Sequence, residues 1–161
     1  MPSTSAPILV AVDFSPDSEA AFGWALQAAR LFGAPLVVVH VVHDPAAAPG
    51  YYAAAVDHVA EIEDVATDMM SKFVERMREE HSGIDGLSGF TSRVVVGLPV
   101  GRILEVAGQE GAQMIVMGGR GRSGLADVLL GSKVERVARL ARIPVTIVRV
   151  GRPEQTADRA R

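Results

Sequence analysis

The chain has 161 residues, 48% hydrophobic and 22% charged, with nineteen Asp plus Glu against sixteen Lys plus Arg and no cysteine. That length and composition predict one globular domain with a sizeable core. The missing cysteines exclude disulfides, thiolate nucleophiles and thiolate-bound metals, while a net charge of -3 excludes a general attraction to nucleic acid or anionic lipid.

The opening MPSTSAPILVAVDFS has no basic stretch ahead of its apolar run, and no apolar run approaches the length of a membrane span, so the expectation is a cytoplasmic chain. Ile8 to Val12 reads as the first strand. Ser15 suits a helix cap and Pro16 the first helical position. From there Ala20, Ala21, Trp24, Ala25, Ala28 and Leu31 form an apolar stripe that stops at Gly33, which predicts a helix with Trp24 in the core. Leu36 to Val42 is the second strand, followed by the irregular stretch DPAAAPGYYAAA from Asp44 to Ala55.

A longer helix is predicted from about Asp57 to Glu80, facing Val59, Ile62, Val65, Ala66, Met69, Met70, Phe73, Val74 and Met77 inward, with the methionines as core filler. After an irregular His81 to Thr91 come a third strand at Arg93 to Val96 and a helix from Pro99 carrying Ile103, Leu104 and Ala107. Met114 to Met117 is the fourth strand. A helix after Gly131 carries Val134, Val137, Ala138 and Leu140, and Val145 to Val150 is the fifth strand.

Apolar residues on consecutive strand positions mean that both faces are covered, the habit of a parallel sheet between helices. Repeated strand–helix units then predict a single doubly wound α/β domain over residues 1–161, with a core at 7–150 and mobile ends at 1–6 and 151–161.

The most informative stretch is MGGRGRSGLADVLLGSKVERVARLARIP, Met117 to Pro144, which runs from the end of a strand to the start of a helix. Helix N-termini present unpaired amides to an anion, and glycines there let the backbone approach phosphate closely and take positive φ. Arg120, Arg122 and Lys133 add positive charge. The spacing Gly119-x-Gly121-x-x-Gly124 satisfies a dinucleotide pattern, but it does not open the first βαβ unit and the next strand ends in no acidic residue. No P-loop G-x-x-x-x-G-K-[S/T] occurs.

The other spacing, Gly118-x2-Gly121-x9-Gly131-Ser132, resembles the nucleotide-binding signature of the universal stress protein family. So do Val12-Asp13-Phe14-Ser15 after the first strand, the His40-Val41 pair in the second, and the closing Pro144 to Val148, which extends the similarity over residues 7–150. Arg120 departs from the pattern, since family members commonly carry His there. The resemblance implies a five-stranded sheet in the order 3-2-1-4-5, an ATP site in the crevice between strands one and four, and a homodimer through the last strand. In that reading the Val41 backbone meets the adenine edge, and Ala11, Val12 and Asp13 line the base or ribose. Met117, Gly118, Gly119, Arg120, Gly121 and Arg122 hold the triphosphate together with Gly131, Ser132, Lys133 and Val134, and Asp13 is a candidate Mg²⁺ ligand.

Structural readings stand beside these. Ser132-Lys133-Val134-Glu135 is also a capping box, and Asp13 could simply cap or orient its turn. His40, His43, His58 and His81 show no metal-ligand spacing and read as structural or surface residues. No nucleophile–base set is visible, so the functional expectation is an ATP-binding stress or signalling protein acting through an unidentified protein partner. A slow Mg-dependent ATPase and a nucleotide-independent dimeric interaction module are the alternatives. The β-branched run Val145 to Val150 at a sheet edge independently favours pairing with a second copy.

Overall fold

Ile8–Ala11 (β1) is buried at every position, and its side chains alternate between two separate hydrophobic clusters. Ile8 and Val10 face one side and Leu9 and Ala11 the other, which is why the strand reads as an unbroken apolar run. The structure, a computed structural model, describes residues 5–43, 59–120 and 130–150. The stretch 44–55, the segment 121–129, and positions 1–4 and 151–161 of the expected ends lie outside the described residues.

After β1 come Pro16–Phe32 (α1), Leu36–Val42 (β2), Val59–Glu80 (α2), Phe90–Val96 (β3), Pro99–Gln109 (α3), Met114–Gly118 (β4), Ser132–Leu140 (α4) and Val145–Val148 (β5). A short 3-10 turn at Ile84–Gly86 precedes β3. All strand pairings are parallel and the order is β3-β2-β1-β4-β5, as expected. The third strand begins at Phe90 rather than Arg93. Thr91, Ser92 and Arg93 are exposed on this edge strand, so its first half lacks the apolar signal.

One face of the sheet packs Phe22, Ala25 and Leu26 of α1 and Met70, Phe73 and Met77 of α2. The other packs Ile103, Val106 and Ala107 of α3 and Val134 and Val137 of α4. Burying a side chain such as Phe22, fully excluded from solvent, stabilises the fold by roughly 2–3 kcal/mol.

The helices meet the sheet with phases that differ in part from the expected stripes. In α1 the core side is Ala21, Phe22, Ala25, Leu26, Ala28 and Ala29, while Trp24 (39%) and Leu31 (82%) are exposed. Trp24 is therefore not a core residue: the small alanines let the helix lie close to β4, and the bulky Trp24 falls outside that contact. Val65 in α2 and Ala138 and Leu140 in α4 likewise turn outward. The ends of α1 follow the sequence: Ser15 caps it, Pro16 opens it, and Gly33 closes it at φ 60°, donating its N–H to the Ala29 and Arg30 carbonyls.

Candidate functional site

The chain builds the sheet outward from β1 through β2 to β3, then returns to the other side of β1 with β4 and β5. Beyond the paired ends Ala11 and Met117 the connections from these two strands diverge to opposite faces, the place where a doubly wound sheet takes a ligand. Asp13 lies beyond β1 and Gly119 beyond β4.

On the β1 side the chain turns through Phe14, the one described non-glycine residue with positive φ (63°), at a cost of about 1 kcal/mol. Its ring pays for that conformation by packing 4.4 Å from the His40 ring and 5.5 Å from Phe73. His40 is buried, and its Nδ1 lies 2.8 Å from the Val12 carbonyl, so this nitrogen is the donor. This turn sets the Asp13 carboxylate where it accepts from the Ser15 N–H at 3.1 Å and from the Ser15 hydroxyl. Ser15 Oγ in turn accepts the Ser18 N–H at 3.3 Å.

On the β4 side two glycines are set close against the protein's own chain. A Cβ on Gly118 would stand 2.7 Å from the Asp17 carbonyl carbon and 2.8 Å from the Ser18 nitrogen, so this glycine lets α1 start directly against the end of β4. A Cβ on Gly119 would meet the Arg149 side chain at 2.5 Å. Neither position has positive φ, and Gly131 sits at φ -59°. Close packing of the protein on itself, rather than left-handed backbone, selects Gly118 and Gly119.

Arg120 is tied down by Asp17, a buried residue in the first turn of α1 that sequence reasoning passed over. Asp17 accepts from the Arg120 N–H at 3.0 Å, from Nε at 3.2 Å and from Nη2 at 3.3 Å, and from the Val150 N–H at 3.2 Å. Arg120 Nη2 also donates to the Val150 carbonyl at 2.8 Å. The amide, Nε and Nη2 of Arg120 are thus engaged by the fold itself. The acidic residue was visible at the second helical position, but its partners lie 103 and 133 residues away and no spacing announces them.

The far end of the glycine loop returns to its start: the Gly131 N–H donates to the Gly119 carbonyl at 3.1 Å. That bond brings Ser132, Lys133 and Val134, the first turn of α4, to the end of β4. Ser132 is the first helical residue rather than the cap, Gly131 holds the cap position without a side chain, and Glu135 bonds Arg139 at 2.6 Å. The capping box is therefore not formed. Gly121 and Arg122 lie outside the described residues.

On the neighbouring strand, Val41 lies near the end of β2 and His43 just past it. Among the described residues, the buried side-chain nitrogens without a partner are Nδ1 and Nε2 of His43 and Nε of Arg102, the latter in the first turn of α3 at the same end of the sheet. Burial and, second, the positive charge of Lys133 hold the His43 pKa below its usual value. His43 lies just past the end of β2, outside the strand pattern, and its unpaired nitrogens carried no signal in the sequence. No group of three His, Asp or Glu able to hold a metal occurs among the described residues. No described helix is long and apolar enough to cross a membrane.

The family model described as the universal stress protein family matches residues 5–149. A universal stress protein of Mycobacterium tuberculosis is 33% identical over 147 residues, which cover 89% of this chain and 45% of that relative. The chain thus spans about half the length of the mycobacterial relatives it matches. A universal stress protein from Archaeoglobus fulgidus, solved in complex with dAMP, is 29% identical with a TM-score of 0.60, over 88% of this chain and 96% of that one. A universal stress protein solved in complex with cAMP is 25% identical with a TM-score of 0.65, over 88% and 95% of the two chains.

Proposed function

This chain belongs to the universal stress protein family, and on that premise we propose that it binds an adenine nucleotide, ATP, in the crevice between β1 and β4 and acts as a nucleotide-dependent stress or regulatory protein. The observation that carries the reading is the start of α4: a helix N-terminus with a glycine at the cap position, drawn to the end of β4 by the Gly131–Gly119 hydrogen bond. Amides so placed attract an anion, and Lys133 adds a full positive charge beside them. The relatives solved with dAMP and cAMP support an adenine nucleotide as the ligand class.

In this reading the Val41 backbone takes the adenine edge, and Ala11, Val12 and Asp13 line the base and ribose. Met117, Gly118, Gly119, Gly121, Arg122, Gly131, Ser132, Lys133 and Val134 surround the triphosphate. Arg120 joins them through Nη1, since Asp17 and the Val150 carbonyl hold its amide, Nε and Nη2. Asp13 would be the residue to hold a magnesium ion bound with the triphosphate, where the ion would offset phosphate charge. The chain operates as a cytoplasmic homodimer paired through β5, which is an outer strand of the sheet.

The test is to denature the purified protein, chromatograph what is released, and titrate the emptied protein with ATP and magnesium. Released ATP, ADP or AMP, or saturable binding of added ATP, is expected; neither one appearing overturns the reading. Light scattering at micromolar concentration checks the dimer, and a monomer mass rejects it.

A further inference from the structure

The orphaned imidazole of His43 is the feature that the family resemblance leaves unexplained. Both ring nitrogens are shielded from solvent and neither has a hydrogen-bond partner. A buried polar group without a partner is unfavourable, so such a group in a folded protein calls for a reason. The place supplies one. His43 follows directly on β2, two residues beyond Val41, at the C-terminal end of the sheet where the proposed nucleotide site lies, and Lys133 of α4 acts on its charge.

The chemistry narrows the partner. A neutral imidazole offers one donor and one acceptor, whereas a phosphate offers only acceptors and pairs best with a charged ring. Burial and the neighbouring Lys133 both disfavour the charged ring, so a phosphate is the poorer match and a neutral group carrying N–H donors or nitrogen acceptors the better one. The adenine base carries both.

We propose that His43 is a base-contacting residue, one of whose unpaired ring nitrogens at the end of β2 hydrogen-bonds to the adenine of the bound nucleotide. The inference rests on the reading of the crevice as an adenine-nucleotide site, and it adds a side chain that reads the base where the Val41 backbone alone was expected. It also separates two duties: the α4 start and Lys133 hold phosphate, and the β2 end recognises the base.

The experiment compares the full chain with His43→Leu and His43→Gln, titrating each with ATP and, separately, with inorganic tripolyphosphate, and recording the ligand-free melting temperature. His43→Leu is expected to weaken ATP about tenfold, to leave tripolyphosphate binding unchanged, and to melt no lower than the parent because no buried nitrogen is left unpaired. His43→Gln, which retains a donor and an acceptor, is expected to recover part of the ATP affinity. ATP affinity unchanged in both variants overturns the inference, and so does an equal loss for ATP and tripolyphosphate. A parent protein that binds no adenine nucleotide overturns the crevice reading itself and this inference with it, whereas ATP binding that survives His43→Leu rejects the inference alone.

Discussion

Helices α1 and α4 both start at the C-terminal end of the sheet, and they satisfy their first turns in opposite ways. The α1 start is closed from within. Ser15 caps it, and the carboxylate of Asp17, itself in that first turn, is bound by Arg120 and the Val150 N–H. The α4 start has glycine at its cap position, and the glutamate that would complete a capping box is turned to Arg139. The difference lies in the caps: α1 has a side-chain oxygen on its first amides and α4 has none, which is the opening the proposed phosphate site relies on.

The largest effect is expected from breaking the closed side. Asp17→Ala strands the partly buried Arg120 guanidinium and removes the carboxylate that joins α1 to the ends of β4 and β5, so urea unfolding of the ligand-free protein should show a loss of about 3 kcal/mol. A loss within the error of the measurement would mean that this network does not hold the two ends together. A second change makes the open helix resemble the closed one. Gly131→Asp gives α4 a capping carboxylate at a position whose φ of -59° any residue adopts, so stability should stay level or rise by about 0.5 kcal/mol. The same carboxylate repels phosphate, and calorimetric titration should show ATP binding weakened by about tenfold. Unchanged affinity would show that the triphosphate does not sit at α4. The smallest effect belongs to Ser15→Ala, which removes the α1 cap and is expected to lower the denaturation midpoint by the equivalent of about 1 kcal/mol.

Much of the scaffold was legible in the residues because its signals are local. The runs at Ile8, Leu36 and Met114 are apolar on consecutive positions since each of these strands is covered on both faces, and the ends of α1 were marked by Ser15, Pro16 and Gly33. The strand order came from the family resemblance carried by the glycine spacing. The site was legible only as a location. Glycine at 118 could be read as room for phosphate, but not that a Cβ there would strike Asp17 and Ser18. Arg120 could be read as a cation beside the loop, but not its pairing with an aspartate in the first helix. Trp24 matched an apolar stripe of helical period, but the face that α1 buries was decided by how closely its alanines approach the strands.

By itself, then, the sequence determined the alternation of strands and helices, the doubly wound class and the position of the glycine-rich connection, because each depends on residues near one another in the chain. The tertiary structure alone decided which charges neutralise each other, which glycines serve packing, and which polar atoms, those of His43 above all, are left unpaired. Such outcomes depend on distances between groups far apart in the chain, and periodicity carries no record of those distances.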